Sequence, residues 1–111
     1  MNSQLKRGTR ELCALSVMNR GDCYGYELVN MISKCMEITE GTVYPLMKRL
    51  KDGGLIESYI VESQEGPPRK YYKITALGHD ELERLEKEWF VFVESINELL
   101  KGDTSDYESN K

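Results

Sequence analysis

Residues 40–55 read EGTVYPLMKRLKDGGL and combine a helical pattern with two residues that weaken helices. Apolar residues recur at intervals of three and four positions, which predicts a helix with one buried face. These residues are Val43, Leu46, Met47 and Leu50. Gly41 and Pro45 lie inside this helix, although an interior glycine costs about 1 kcal/mol and an interior proline about 3 kcal/mol relative to alanine. We therefore expect tertiary packing to hold the helix and its outer face to have a use.

The flanking sequence predicts two helices before this segment and a β-hairpin after it. Apolar residues crowd residues 5–20, and helical spacing returns between Leu28 and Cys35. Residues 55–62 and 69–75 alternate with a period of two around the turn-forming stretch SQEGPP. This pattern predicts a hairpin with both prolines at its tip.

A long final helix is predicted after the hairpin. Thr39 and Thr75 are suitable N-caps for the third helix and for this last one, which runs to about Lys101. The last helix carries two rows of apolar residues at heptad spacing, the pattern of a coiled-coil seam. The rows are Leu82, Trp89 and Ile96, and Leu85, Phe92 and Leu99. At 1.5 Å per residue the helix is roughly 39 Å long, more than a body of about 75 residues needs. The seam therefore predicts a second copy of the chain as its partner.

Three helices followed by a hairpin is the order of a winged helix-turn-helix, whose third helix enters the DNA major groove. The predicted fold class is mainly α with a small β-hairpin: a winged helix-turn-helix plus a long C-terminal dimerisation helix. Residues 1–76 are expected to form the DNA-binding domain and residues 77–101 the dimerisation helix. Residues 102–111 are expected to be a disordered polar and acidic tail.

The composition favours one soluble domain in the cytoplasm. The chain has 111 residues, 40% hydrophobic and 31% charged, without a signal peptide or an apolar stretch long enough to span a membrane. Cys13, Cys23 and Cys35 have no CxxC spacing and accompany a single histidine, so we expect reduced, mostly buried thiols, no metal and no cofactor. Cys23 is the redox candidate. The single histidine, His79, has no evident nucleophile partner, so an enzyme is not expected.

The charge distribution favours a nucleic-acid partner for the first part of the chain. The net charge is −4, but residues 1–79 hold 11 basic and 9 acidic residues, a balance of +2. Residues 80–111 hold 4 basic and 10 acidic residues, a balance of −6. The local field of a patch steers an anionic partner, whatever the total charge. The acidic final helix leaves a second reading open, in which the winged helix binds a basic protein instead of DNA.

The residues outside the buried stripe of the third helix are the candidate DNA contacts. Gly41 permits close approach of the backbone to a phosphate, and Arg49 suits bidentate contact with guanine O6 and N7. Lys48 lies beside Arg49, and Thr42 and Tyr44 offer hydroxyl groups to a phosphate or contact with a thymine methyl. The alternative is an ordinary solvated helix face, with Arg49 in an internal salt bridge.

Three ordered motifs resemble the PadR family of bacterial transcriptional regulators over roughly residues 5–100. The motifs YGYEL (24–28), EGTVYPLMKRL (40–50) and GPPRKYYKITALG (66–78) look like that family's start of helix 2, recognition helix and wing. The resemblance implies a homodimer, held by a single C-terminal helix, that binds double-stranded operator DNA and usually represses transcription. It also places nine residues on DNA-facing motifs: Tyr26, Thr42, Tyr44, Pro45, Lys48, Arg49, Gly66, Arg69 and Lys70.

The exit of the recognition helix departs from the family pattern. Such helices commonly finish R-L-E-x-x-G-L, whereas residues 49–55 read RLKDGGL. Lys51 thus replaces an acid, and an extra glycine is expected to loosen the exit.

Trp89 resembles the tryptophan with which the multidrug-binding branch of the family sandwiches flat aromatic compounds across the dimer. The resemblance makes Trp89, Phe92 and Val93 candidate contacts for a small aromatic effector. Val93 stands where that branch tends to carry a carboxylate, and Glu86 and Glu94 are the nearest substitutes. The alternative is that Trp89 only fills the dimer core as a large aromatic anchor.

Overall fold

The computed structural model describes residues 3–102, with side chains from residue 8 onward, as four helices and a three-stranded antiparallel sheet. The helices are α1 (Ser3–Arg20), α2 (Gly25–Ser33), α3 (Glu40–Asp52) and α4 (Ala76–Leu100). The strands are β1 (Cys23–Tyr24), β2 (Ile56–Ser63) and β3 (Gly66–Ile74), in the order β1-β3-β2. The predicted fold class, a winged helix with a long final helix, is confirmed. The predicted tail lies outside the described residues apart from Gly102.

The third helix packs as its apolar spacing predicts. Its four apolar residues are buried in a core to which the other three helices and the sheet also contribute. A fully buried side chain of this kind contributes about 1.5–3 kcal/mol by leaving water. The four together outweigh the roughly 4 kcal/mol by which Gly41 and Pro45 weaken the helix. The N-cap is Thr39, whose carbonyl accepts the N–H groups of Thr42 and Val43 at 3.0 Å.

A short strand that the sequence pattern does not predict joins the hairpin to the start of α2. β1 pairs with β3, Cys23 opposite Tyr72 and Tyr24 opposite Tyr71. Two residues are too few to show a period, so the sequence does not separate this strand from a turn. Because Tyr24 immediately precedes α2, the pairing fastens the start of α2 to the wing, which we define as β2, β3 and the turn between them.

The prolines of the hairpin lie in a strand and not in the turn. β2 and β3 leave only residues 64–65 for the turn. The register of the ladder shifts just before it, so that Pro67 and Pro68 lie opposite Glu62. Two residues opposite one form a β-bulge, where a strand tolerates residues without an N–H group. The prediction that both prolines lie at the tip is therefore wrong, because they occupy a bulge beside it.

The exit of α3 is a well-formed C-cap, contrary to the expectation that the extra glycine loosens it. The N–H of Leu55 donates to the carbonyl of Leu50 at 2.9 Å, and the N–H of Gly54 donates to that of Lys51 at 3.0 Å. This is the hydrogen-bond pair of a Schellman motif, in which the residue after the C-cap is left-handed. Gly54 has φ +76°, whereas Gly53, the C-cap, has φ −82°. The motif requires only Gly54 to be glycine.

Alanine at these two positions is expected to have opposite effects on stability. Gly54→Ala costs about 1–2 kcal/mol of unfolding free energy, because a Cβ disfavours the left-handed region. Gly53→Ala is neutral or stabilises by about 0.4–1 kcal/mol, because it restricts the unfolded chain and its Cβ comes no closer than 3.4 Å to the Arg49 carbonyl oxygen. Urea unfolding followed by circular dichroism measures the difference. Equal effects of the two substitutions would contradict the assigned C-cap.

A close backbone contact fixes the start of α4 against the end of α3. Thr75 caps α4 as predicted, since its hydroxyl accepts the N–H of Gly78 at 3.0 Å and donates to the Gly54 carbonyl at 2.7 Å. The N–H of Thr75 donates to the Leu55 carbonyl at 3.0 Å. A Cβ on Gly78 would overlap that same carbonyl oxygen, so α4 passes it as closely as glycine allows.

α4 is the longest helix of the described chain, at 25 residues. None of the helices in residues 3–102 combines the length and the apolar composition that crossing a membrane requires.

Candidate nucleic-acid interface

The outer face of α3 is accessible over most of its length. Of the six predicted contact residues on this helix, only Thr42 is half-buried. The exposed ones are Gly41, Tyr44, Pro45, Lys48 and Arg49. This face is exposed to solvent and carries two adjacent cations in the C-terminal half of α3. An α-helix fits into the major groove of DNA, so the face could lie against the bases.

The two predicted cations of this face differ in their partners. Lys48 Nζ lies 3.1 Å from Asp52 Oδ2, one helical turn away, and both side chains are mostly exposed. Such a surface ion pair contributes only about 0.3–0.5 kcal/mol, so a phosphate can displace Asp52. Arg49 has no carboxylate within ion-pair distance among the described side chains. The internal salt bridge considered for Arg49 is thus absent from the described residues, and its guanidinium donors face solvent.

Tyr44 is held by a close contact with the start of α2. Gly25 is the first residue of α2, and a Cβ there would come within 2.7 Å of the Tyr44 ring carbon Cε1. The ring therefore occupies the space that any other residue at position 25 would need. Tyr44 also lies near Tyr72 of β3, whose pKa is raised by burial and then by Tyr44. The glycine of the YGYEL motif thus has a packing role between two helices.

No contact inside the described protein requires a glycine at position 41. A Cβ on Gly41 would meet only Thr39 Oγ1, at an ordinary distance of 3.6 Å. Gly41 also lacks the positive φ that favours glycine. Pro45 is exposed, and its missing N–H removes the helical donor for the Gly41 carbonyl. Both helix-weakening residues lie on the outer side of α3, away from the core.

The wing presents its two predicted basic contacts on opposite faces. Successive residues of a strand point to opposite sides of the sheet. Lys70 shares a face with Tyr72, which packs against the helical core. Arg69 shares the other face with Tyr71, and its Cζ lies 4.6 Å from the ring centroid of Tyr24. Both basic residues are exposed, but the strand does not bring them together. The other two predicted contacts outside α3, Gly66 and Tyr26, are exposed too.

The apolar seam predicted for α4 is divided between two environments. Leu82 and Leu85 are 4% and 8% exposed, because they pack against the core of their own chain. Farther along the helix Phe92, Ile96 and Leu99 are 42%, 38% and 65% exposed. The first part of the seam therefore belongs to the protomer. The second part is an apolar surface that stays largely exposed in the described protomer.

Trp89 lies at the boundary between these two parts of α4. Its ring centroid is 6.4 Å from that of Phe92, and both side chains line a cavity of about 260 Å³ between α1 and α4. Trp89 also lines a wider cavity of about 730 Å³ with α1 and the turn after α2. Val93, the third predicted effector contact, lines neither cavity and shares a groove with Phe90 instead. Glu88, which was not predicted, lines the smaller cavity.

The chain shares this arrangement with a family of known regulators. The family model described as the transcriptional regulator PadR-like family matches residues 14–84, which include α2, α3 and the whole wing. The chain belongs to the PadR-like family.

Similar proteins extend the match over most of this PadR-like regulator. An uncharacterized protein of Lysinibacillus sphaericus is 35% identical over 106 residues, 92% of this chain and 97% of that protein. The crystal structure of a PadR-like transcriptional regulator from Bacillus cereus superposes with a TM-score of 0.81 at 37% identity, covering 90% of this chain and 99% of that one. A PadR family transcription regulator from Clostridium difficile superposes with a TM-score of 0.76 at 34% identity, covering 82% and 97%. The family resemblance is confirmed. At the family level, so is the prediction of a regulator and not an enzyme.

The three cysteines of this PadR-like regulator lie in different environments. Cys23 is buried in β1, where burial and then the carboxylates of Glu27 and Asp22 raise its pKa to about 11. Its thiolate is scarce at neutral pH, so Cys23 is a poor redox candidate, contrary to the prediction. Cys13 is half-buried, and its pKa is raised by burial and then by Cys35. Cys35 is exposed, so the expectation of mostly buried thiols is wrong for this residue.

Three residues that shape the candidate interface of this PadR-like regulator were not predicted as site residues: Asp52, Gly25 and Tyr24. Asp52 was detectable, because Lys48 and Asp52 stand four positions apart in a predicted helix and therefore face each other. Gly25 and Tyr24 act through contacts between elements that are distant in sequence. No local pattern reports such contacts, so only the structure reveals them.

Proposed function

We propose that this PadR-like regulator is a cytoplasmic homodimer that binds double-stranded operator DNA through α3 and the wing and acts as a repressor. The outer face of α3 carries the proposal. Arg49 is exposed without an ion partner in the described residues, and no packing contact in the described protein requires a glycine at position 41. An anionic groove accounts for both features. The repressor role rests on the resemblance to a family whose members usually repress. Residues 1–76 then form the DNA-binding domain and residues 77–101 the dimerisation helix.

The candidate contacts divide into one that reads bases and several that bind the backbone. Arg49 suits bidentate hydrogen bonds to guanine O6 and N7 in the major groove, which gives sequence discrimination. Lys48 and the hydroxyl groups of Thr42 and Tyr44 suit phosphates, which fix the position of the helix but read no sequence. Gly41 leaves room for the α3 backbone to approach the DNA. Pro45, Tyr26, Gly66, Arg69 and Lys70 complete the proposed surface.

A salt series distinguishes DNA binding from protein recognition by the same fold. In a mobility-shift assay with a mixed-sequence duplex, affinity should fall by about 10³-fold or more between about 50 and 200 mM salt, as expected for six or more phosphate contacts. If the acidic α4 instead docks on a basic protein, duplex binding is absent or insensitive to salt.

Gly41→Ala is expected to separate DNA binding from stability. In the free protein the added methyl makes only ordinary contacts and removes a helix-weakening residue, so the unfolding free energy rises by up to about 1 kcal/mol. At the DNA surface the same methyl keeps the α3 backbone from the phosphates, and affinity falls about tenfold, or about 1.4 kcal/mol. Urea unfolding and the mobility shift are measured on one preparation. Unchanged affinity would remove the proposed role of Gly41.

The exposed part of the α4 seam supports the homodimer. Its apolar residues continue beyond the protomer core for about two turns of helix. A contiguous exposed apolar patch commonly marks an interface. A second copy is the simplest partner, because helices related by a two-fold axis present the same rows to each other. Two α3 helices in such a dimer would reach half-sites about 34 Å apart.

Ile96→Glu combined with Leu99→Glu is expected to give monomers. Both residues are exposed in the protomer, so each chain keeps its fold while two pairs of carboxylates face each other across the seam. Leu82 and Leu85 are unsuitable for this test, because they belong to the core of their own chain. Sedimentation velocity measures the mass, with Asn97→Glu as the control outside both apolar rows. A dimer that persists in the double variant would exclude the seam.

We also propose that a small aromatic effector binds beside Trp89 and Phe92 and releases the DNA. Trp89 lines the larger cavity of about 730 Å³, which lies within the roughly 300–1,000 Å³ of typical ligand pockets. Phe92 lines only the smaller cavity of about 260 Å³, which also contains Trp89. Trp89 is the only tryptophan of the chain, so its fluorescence reports binding directly. Titration with a neutral planar aromatic such as naphthol should quench this fluorescence and weaken the mobility shift. Without quenching, Trp89 serves only as an interface anchor.

A further inference from the structure

The guanidinium of Arg69 is held by an aromatic ring and not by a carboxylate. Its Cζ lies 4.6 Å from the ring centroid of Tyr24, within the range of a cation–π contact. No salt bridge involves Arg69 among the side chains of residues 8–102. A cation–π contact occupies none of the guanidinium N–H groups with a carboxylate, so these groups can still donate to another acceptor. A carboxylate partner would instead occupy those donors.

The Tyr24 ring is itself supported by a row of tyrosines across the sheet. Tyr24 meets Tyr71 edge to face, with centroids 5.5 Å apart and ring planes at 70°. Tyr71 stacks on Tyr59 at 5.9 Å and 18°. The Tyr59 hydroxyl donates to Asp22 Oδ2 at 2.6 Å, and this bond is the main reason that the pKa of Tyr59 is raised to about 12. This hydrogen bond anchors the row on the loop between α1 and β1.

The stack places the charge of Arg69 beside the start of α2. Tyr24 immediately precedes α2, the helix that crosses the DNA backbone in a helix-turn-helix. Tyr26, in the first turn of the same helix, is 55% exposed. We propose that Tyr24 is a positioning residue, which holds Arg69 so that its N–H groups meet a DNA phosphate near the start of α2. The proposal rests on the DNA-binding function proposed above.

A double-mutant cycle between Tyr24 and Arg69 tests this role. The probe is a mixed-sequence duplex of about 30 base pairs at low salt, because phosphate contacts dominate such binding, and affinity is measured by fluorescence anisotropy. Tyr24→Leu should weaken binding about two- to fivefold, the equivalent of about 0.5–1 kcal/mol. Tyr24→Phe keeps the ring face and should keep the affinity. In the Arg69→Ala background, Tyr24→Leu should have no further effect.

Two results of this double-mutant cycle would overturn the proposal. One is a loss on Tyr24→Leu that is equally large in the wild-type and the Arg69→Ala backgrounds, which would mean that the tyrosine acts only on the fold. The other is unchanged affinity of Tyr24→Leu in a protein that melts like the wild type. Lys70→Ala is the matched control, because Lys70 lies on the other face of β3 and its effect should add to that of Tyr24→Leu.

Arg69→Lys keeps the test decisive if Tyr24→Leu does not fold. Arg69 is exposed, so this variant folds. Its ammonium keeps the charge, but a compact, strongly hydrated ammonium is held less well by the Tyr24 ring than a guanidinium, and binding should weaken at least about twofold. Wild-type affinity of Arg69→Lys would overturn the proposal.

Failure of this proposal is distinguishable from failure of the DNA-binding function. A wild-type protein that binds no duplex rejects the function itself. Duplex binding that depends on Arg49 but is unaffected by Arg69→Ala rejects only the positioning role of Tyr24.

Discussion

Replacing Lys48 and Arg49 together by alanine is expected to weaken binding to duplex DNA by at least about 100-fold. Removing one bidentate arginine from a DNA interface costs about 1–3 kcal/mol, and the proposed dimer would lose two such arginines together with two proposed lysine–phosphate pairs. The dependence of log affinity on log salt should become shallower by about 0.9 for each phosphate that the variant no longer neutralises. Folding should be unaffected, because both side chains are exposed and the Lys48–Asp52 ion pair contributes only about 0.3–0.5 kcal/mol.

Two further variants make this result specific to the outer face of α3. Lys87→Ala with Lys101→Ala removes the same charge from two exposed positions, one in the middle of α4 and one at its C-cap, and affinity should stay within about twofold. Asp52→Asn removes the ion partner of Lys48 and should strengthen binding, by about twofold. Fluorescence anisotropy at one fixed salt concentration compares all variants. Retained affinity of the Lys48 and Arg49 double variant would move the DNA site elsewhere.

Gly78→Ala is expected to lower the unfolding free energy by about 3 kcal/mol or more. The added Cβ overlaps the carbonyl oxygen of Leu55 and comes within 2.7 Å of Ile74 Cγ1. That carbonyl cannot move freely, because it accepts the N–H of Thr75 at 3.0 Å. Overpacking costs about 1–3 kcal/mol where side chains can adjust, and more where backbone must shift. In a domain of this size each kcal/mol lowers Tm by about 4–8 °C, so Tm should fall by about 10 °C or more.

Gly21→Ala is the control for this effect. Gly21 is exposed after α1, and a Cβ there would meet no atom within 4 Å among the described residues. Its substitution should change stability by no more than about 0.5 kcal/mol. Melting followed by circular dichroism compares the two variants. If Gly78→Ala has the same Tm as the wild type, the close contact between α4 and the Leu55 carbonyl does not require a glycine at position 78.

The face that α3 turns to the core was predictable from the sequence. The spacing of Val43, Leu46, Met47 and Leu50 identifies the buried side of α3, and the structure buries all four. The reason is physical: a helix repeats every 3.6 residues, so residues that leave water together must recur with that period. The N-cap of α4, Thr75, was also predictable, because the cap hydrogen bond joins residues only three positions apart in the sequence.

The contacts of the basic residues in the wing were not predictable from the sequence. Arg69 and Lys70 are neighbours in sequence and were predicted as one group of contacts, yet the strand separates them onto opposite faces. The partner of Arg69 is Tyr24, which lies on another strand. The tyrosine that lies next to Arg69 is determined by the register between the strands. That register is set by packing across the sheet, and neither segment encodes it alone.

The sequence by itself determined the order of helices and hairpin, the buried side of α3 and the family, because these depend on short-range periodicity and on motifs that stand in one stretch of chain. The tertiary structure alone decided that Leu82 and Leu85 belong to the protomer core while Phe92, Ile96 and Leu99 remain exposed. All five residues belong to one heptad pattern. Such a pattern shows which side of a helix is apolar, but it does not show which element packs against that side. What covers each turn depends on where the body of the domain ends, and that boundary is formed by contacts between segments far apart in the chain.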